Sequence, residues 1–202
     1  MTGTARERDD WSDALSLFLE WQADARRAGP LAHPDAVCLS TADERGVPEA
    51  RFVDLKGVSE AGFVFCTHMQ SRKARTLTAN SNAALTFWWD HAERQVRVVG
   101  VAQRIPDAEA DAIFRTRSRD ARVTSWASRQ SATLTDPAEL DARAEAVERR
   151  FAGGEVPRPP DWGGFRVVPS HIEFLSFRAN RRHERLVFER GERAWSRYWL
   201  QP

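Results

Sequence analysis

The residues best placed to do chemistry are Thr67, Ser71, Arg72 and Lys73. They follow an apolar run, Phe63-Val64-Phe65-Cys66, and open a helix-like segment over 72–80. A strand that ends at a helix N-terminus presents unpaired backbone N–H groups and the positive end of the helix dipole. Two hydroxyls, a guanidinium and an ammonium grouped there would complete a seat for a dianion such as a phosphate ester. Taken alone, the same residues also read as a capped helix with a solvated basic first turn.

Composition narrows the alternatives. The 30 Lys and Arg against 29 Asp and Glu leave a net charge of +1, which gives no electrostatic reason to expect nucleic acid or a membrane surface as partner. His33, His68, His91, His171 and His183 are scattered without metal-ligand spacing, so no metal is expected. No Gly-x-Ser-x-Gly elbow is present, which argues against a hydrolase. Cys38 and Cys66 sit in apolar, strand-like runs and read as reduced thiols in a cytoplasmic setting. Residues 1–10 do not resemble a leader, and no apolar run is long enough to span a bilayer. At 202 residues and 22.9 kDa the chain reads as one domain over 1–202, large enough to bury a real core. Its eight tryptophans are expected in a barrel core or a subunit interface.

The elements that must position the basic cluster follow from periodicity. Residues 11–27 read as an amphipathic helix with Trp11, Leu15, Phe18, Trp21 and Ala25 near one face, stopped by Gly29-Pro30. Strands are expected over 36–41 and 49–56, joined by the hairpin chemistry of Asp43-Glu44-Arg45-Gly46, then over 63–66. After the helix at Arg72 come strands over 83–89 and 94–105, with Val96, Val98 and Gly100 on one side. Helices are expected over 106–115 and 121–127. A third, over about 136–151, has Asp136-Pro137-Ala138-Glu139 in capping-box order. A Pro-rich connector leads to strands over 165–168, 171–177, 185–190 and 194–200. Hairpin-linked strands with helices clustered between them predict a mainly β, α+β fold, an antiparallel barrel flanked by helices.

Several separate motifs share one resemblance. Arg51-Phe52-Val53-Asp54-Leu55-Lys56, Thr67 with Ser71-Arg72-Lys73, Arg94-Gln95-Val96, Ser128-Arg129-Gln130-Ser131, Trp162-Gly163-Gly164-Phe165-Arg166 and Arg181-Arg182-His183-Glu184-Arg185 stand in the order of the pyridoxamine 5′-phosphate oxidase family. The resemblance covers nearly the whole chain from about Trp11. It implies an FMN-binding split β-barrel, a homodimer with FMN at the interface, and O2 as electron acceptor. By this resemblance Arg51, Thr67, Arg72 and Lys73 take the phosphate and ribityl side. Gln95, Gln130, Ser131 and Arg185 address the ring or the rest of the cofactor. Phe52, Val53, Lys56, Cys66, Ser71 and Leu175 complete the expected cofactor set, Leu175 standing where the family has a flavin-touching tryptophan.

The substrate side departs from the family. Lys56 and Arg117 stand at its substrate-phosphate positions, but Ile113 replaces a tyrosine and Ala121 a serine. The family's N-terminal cover bearing Arg and Tyr has no counterpart in the sequence. Arg181 and His183 occupy the positions of the pair that faces substrate above the flavin and are the expected catalytic residues. His183 would relay a proton near neutral pH, and Arg181 would orient an anionic group. Ile113, Arg117 and Ala121 are spaced by four and are expected on one side of a helical segment. A carboxylated, planar substrate suits the lost hydroxyls. The sequence is similar to the branch of flavin oxidases in phenazine biosynthesis, so a specialised metabolite such as a dihydrophenazine-type precursor is the first expectation. Oxidation of pyridoxine or pyridoxamine 5′-phosphate is the alternative, and a non-catalytic flavin-binding protein the second alternative.

Overall fold

The computed structural model describes residues 10–28 and 33–202. The helix stop expected at Gly29-Pro30, and nearly all of the N-terminal stretch read for a leader, lie outside these residues. Helix α1 (Asp10–Ala28) precedes three antiparallel strands, β1 (Ala36–Ala42), β2 (Pro48–Ser59) and β3 (Gly62–His68). Helix α2 (Arg72–Ala79), strands β4 (Asn82–Trp89) and β5 (Arg94–Arg104), and helices α3 (Asp107–Arg115), α4 (Arg119–Ala127) and α5 (Ala138–Arg150) follow. The chain ends on β6 (Trp162–Ser176), β7 (Glu184–Arg190) and β8 (Trp195–Leu200).

The sheet runs β3-β2-β1-β4-β5-β6-β7-β8, and β3 also pairs with β6. That extra pairing closes six strands into an antiparallel barrel and leaves β7 and β8 as an extension. Strand β6 therefore does two jobs. Trp162 to Val167 pair with β3, whereas His171 to Ser176 pair with β7. Two strands expected over 165–177 are thus one strand. The Pro169-Ser170 step between the two expected ranges is a bulge opposite Val99 and Gly100. Gly100 is required there, since a Cβ would lie 2.1 Å from the Val168 carbonyl oxygen.

Helix α1 covers the barrel with Phe18, whose ring meets Phe63 at 5.0 Å and Phe87 at 4.9 Å. Trp21 packs edge-on against Phe174, and Trp11 stacks on Trp195. Ala14 is buried where Leu15 was expected; Leu15 sits only partly covered. A second, smaller cluster of Val64, Ile105, Ala110, Phe114 and Trp162 fixes α3 against β3 and β6. The tryptophans divide as their surroundings require. Trp89 and Trp162 are buried, while Trp88 and Trp199 keep half or more of their surface exposed.

Two local expectations need correction. Asp136 does cap α5, its Oδ1 accepting from the Ala138 N–H at 2.9 Å. Glu139, however, does not reach back to close a capping box but takes Arg143 one turn on. The helical segment carrying Ile113, Arg117 and Ala121 is also broken. Thr116 ends α3, Ser118 caps α4, and Arg117 lies in the turn between them. No helix among the described residues is long and apolar enough to cross a membrane.

Candidate active site

The basic cluster at the start of α2 forms a built cradle. Ser71 is fully buried and caps the helix, its Oγ accepting from Ala74 N–H. Thr67, at the end of β3, lies 3.2 Å from Ser71 Oγ and donates to Gln130 Oε1 at 2.8 Å. Lys73 Nζ donates to the same Gln130 oxygen at 3.1 Å and to Thr67 Oγ1 at 3.3 Å. Ser131, held at φ 73°, accepts from the Arg72 backbone N–H at 3.1 Å. Strand β2 adds Arg51, which donates to Thr41 Oγ1 at 2.8 Å. Together Glu49, Ala50, Arg51, Arg72, Lys73, Gln130 and Ser131 line a cleft of about 480 Å³. Gln130 and Ser131, expected towards the ring or the rest of the cofactor, are thus part of the basic cradle.

Charge in this cleft is unbalanced. Arg51, Arg72 and Lys73 contribute three cations, and Glu49 is the one carboxylate lining it. Burial holds the Lys73 ammonium below its ordinary value, and the charge of Arg51 pushes it the same way. A dianion would relieve both effects, so the residues fit a phosphate monoester such as that of FMN.

A second basic pole lies across β3. Cys66 is packed against the α3 cluster, and burial pushes its thiol up to about 12 against the opposing charges of Lys56 and Arg117. Lys56 is the residue skipped in the β2–β3 register between Leu55 and Gly57, a bulge that re-aims its side chain. It pairs with Asp54 at 3.2 Å. Arg117 lies over the Trp162 ring at 5.2 Å and donates to the Ala121 carbonyl at 3.3 Å. Its Nε is buried without a hydrogen-bond partner, and burial draws the guanidinium below its ordinary value. Ile113 turns into the apolar cluster around Phe114 and Trp162.

Phe52, largely exposed, and Val53, packed on the core, lie between Arg51 and Lys56 on β2; the other expected residues are elsewhere. Gln95, Leu175 and Arg185 are adjacent in register across β5, β6 and β7. Leu175 is twelve residues along β6 from Gly163, the partner of Thr67, or roughly 40 Å of strand path at about 3.3 Å per residue. Arg181 and His183 lie on the turn between β6 and β7, at this same far end. Arg181 adopts φ 64°, an unfavourable backbone for a side chain of its size. His183 Nδ1 accepts from the Arg178 N–H at 3.0 Å, which leaves Nε2 as the nitrogen that carries hydrogen in the neutral ring. One chain therefore gathers Thr67, Lys73, Gln130 and Ser131 with the Lys56–Arg117 pole around the C-terminal part of β3. It groups Gln95, Leu175, Arg181, His183 and Arg185 around the C-terminal end of β6.

Sequence reasoning missed four neighbours of these groups. Glu49 stands two residues before Arg51 on the same face of β2, a relation that period-two alternation could have given. Glu173 is 2% exposed and binds Arg185 Nε at 2.7 Å, with Arg97 Nη2 at 3.1 Å on its other oxygen. Burial alone would raise its carboxyl, but Arg185, Arg97 and His171 together hold it below the usual range. Trp88 and Phe177 form an edge-on pair at 5.2 Å, and Phe177 lies 4.8 Å from His183, making an aromatic wall beside it. No motif marked either residue.

Residues 24–151 match the family model described as pyridoxamine 5′-phosphate oxidase, which spans well over half of the chain. The chain belongs to the pyridoxamine 5′-phosphate oxidase family. Residues 162–202 match the pyridoxine 5′-phosphate oxidase C-terminal dimerisation region, which here comprises β6, β7 and β8. A pyridoxine/pyridoxamine 5′-phosphate oxidase of Rubrobacter xylanophilus is 48% identical over 94% of this chain and 87% of its own. One of Anaeromyxobacter dehalogenans is 49% identical over 94% and 96%. PhzG of Burkholderia lata, solved with tetrahydrophenazine-1-carboxylic acid, superposes with a TM-score of 0.89 at 31% identity, covering 99% of this chain and all of its own. The family and this neighbour identify the chain as an FMN-dependent oxidase with the split-barrel fold.

Proposed function

We propose that this chain oxidises pyridoxine or pyridoxamine 5′-phosphate, with FMN held in the cleft of Arg51, Arg72, Lys73, Gln130 and Ser131. The observation that carries this reading is the pole of Lys56 and Arg117, which flanks Cys66 just across β3 from the cradle. It provides a second anion seat beside the first, as a phosphorylated substrate lying against FMN requires. Arg117 Nε is buried without a hydrogen-bond partner, so its guanidinium is not fully paired within the chain. The names of relatives at nearly half identity along almost the full chain support the same substrate. They favour it over the specialised metabolite that Ile113 and Ala121 first suggested.

Bound FMN would supply two-electron redox chemistry, with O2 as the final acceptor and hydrogen peroxide as its product. The chain's residues do the rest. The cradle neutralises the FMN phosphate, while Lys56 and Arg117 fix the substrate by its own phosphate. Because the C-terminal strands match a dimerisation region, Leu175 and Arg185 of one chain, with Gln95 beside Leu175 on β5, would complete the ring side of the partner's cradle. Arg181 and His183 then face the substrate across the interface. With Nδ1 taken by the Arg178 N–H, His183 presents Nε2–H to the substrate. Solitary Ile113 and Ala121 leave the substrate phosphate two hydroxyl donors short, so charge attraction rather than fixed hydrogen bonds must hold it.

That same deficit supports a second reading, a planar carboxylated substrate of the kind bound to the Burkholderia lata neighbour. Steady-state kinetics on FMN-loaded protein separates the two, with peroxide release measured on pyridoxine 5′-phosphate and on a dihydrophenazine carboxylate. The first reading expects a higher kcat/KM on the phosphate ester, raised tenfold or more in Ile113→Tyr/Ala121→Ser, the equivalent of about 1.4 kcal/mol. A higher kcat/KM on the carboxylate, with no gain on the ester from the double change, would hand the site to the second reading.

A further inference from the structure

The cleft carries its own anion. Glu49 bridges two of the three cations, one carboxylate oxygen on Arg72 and the other on Arg51 Nη2 at 3.0 Å. Its side chain is three-quarters buried, and Glu49 itself lines the cleft. Two arginines sharing one planar carboxylate reproduce in part what they would offer a phosphate, with directed N–H donors converging on negative oxygens. Glu49 pairs in register with Thr41 on β1, so its backbone is fixed, and only rotation of the side chain can move the carboxylate away.

We infer that Glu49 is a built-in competitor for the phosphate seat and sets how tightly the chain holds the FMN phosphate. The inference rests on reading this cleft as that seat. A phosphate monoester brings a charge of about −1.5 to −2. For the esters to take Arg51 and Arg72, the Glu49 carboxylate must give up both ion pairs and either rotate out or remain as a like charge beside the phosphate. Each course costs binding free energy that a neutral side chain would not. Lys73, which pairs with Thr67 and Gln130 rather than with Glu49, stays available throughout and can make the first contact with an incoming phosphate. The competition acts on the phosphate alone. Riboflavin has the same ring and ribityl chain without the ester, so Glu49 leaves its binding unchanged.

The test is equilibrium binding of FMN and of riboflavin to cofactor-free protein, read by quenching of flavin fluorescence and by calorimetry at fixed salt. Wild type, Glu49→Gln, Glu49→Ala and Lys73→Met are compared, with circular dichroism confirming that each is folded. Glu49→Gln and Glu49→Ala should both tighten FMN about tenfold and leave riboflavin unchanged, and the gap from wild type should narrow as salt screens the charges. Equal or weaker FMN binding in both variants, while Lys73→Met weakens FMN selectively, would overturn the inference and make Glu49 a prop that aligns the arginines. Failure of Lys73→Met to distinguish FMN from riboflavin would overturn the reading of the seat, and the inference with it.

Discussion

Replacing Lys73 by methionine removes the cradle's most central charge while keeping most of the apolar stem. Its ammonium lies 3.1 Å from Gln130 Oε1 and 3.3 Å from Thr67 Oγ1, inside the cleft proposed for the phosphate. A hydrogen bond to a charged group contributes about 1.5–3 kcal/mol, so FMN affinity should fall by roughly 10- to 150-fold with riboflavin unaffected. The dependence on pH follows from the direction of the Lys73 shift. Burial, and then the charge of Arg51, lowers its value below 10.5, so between the lowered value and 10.5 the unfolded chain binds more protons than the fold. Stability therefore gains from this group as pH rises through that window. FMN binding runs the opposite way, because the phosphate needs the ammonium. Wild-type affinity should weaken as pH climbs through the lowered value, with proton uptake on binding seen as a buffer-dependent heat, and Lys73→Met should lose both effects. Equal weakening of FMN and riboflavin, or an alkaline limb unchanged in the variant, would refute the assignment.

Two further outcomes follow from the same geometry. Glu173→Gln should lower the melting temperature and loosen Arg185. Its net depressed carboxyl contributes stability that is present above the ordinary carboxylate range and lost as pH falls through the depressed value, so the acid limb of a melting series should flatten in the variant. Cys66, with its thiol pushed up to about 12, should react slowly with an alkylating reagent at pH 8 in the native protein and fully once unfolded. Mass spectrometry of timed aliquots reads this directly.

The strands were legible because their burial alternates. Arg94–Arg104 turns Val96, Val98 and Gly100 inward as its sequence indicates, and the hairpin at Gly46 takes the positive φ its chemistry implies. The start of α2 was legible for a different reason, since Ser71-Arg72-Lys73 combines a cap with a charge cluster. Where reading failed, a long-range constraint decided the structure. Pro169 looks like a strand end, yet Gly100 on the neighbouring strand makes room for a bulge and β6 continues. Spacing by four put Arg117 on a helix face, whereas the Ser118 cap restarts the helix and frees Arg117 to lie over Trp162. Alternation on β2 could have paired Glu49 with Arg51 but not with Arg72 on α2, and Glu173 carried no motif because its partners Arg97 and Arg185 stand on β5 and β7. The separation of the expected site residues along β6 could not come from residue order at all. It needed the register that puts Thr67 opposite Gly163 and Leu175 opposite Arg185.

That division is tested most directly by mixing two inactive chains. Arg72→Ala/Lys73→Ala destroys the cradle, and Arg185→Ala destroys the far end, so homodimers of either variant have no intact site. A heterodimer of the two has one site with both defects and one with none, provided each site takes its halves from different chains. Random exchange of subunits makes about half of the dimers mixed, so peroxide production on pyridoxine 5′-phosphate should recover to about a quarter of wild type. Activity of the exchanged mixture no higher than that of the two variants assayed separately would contradict a site shared between chains.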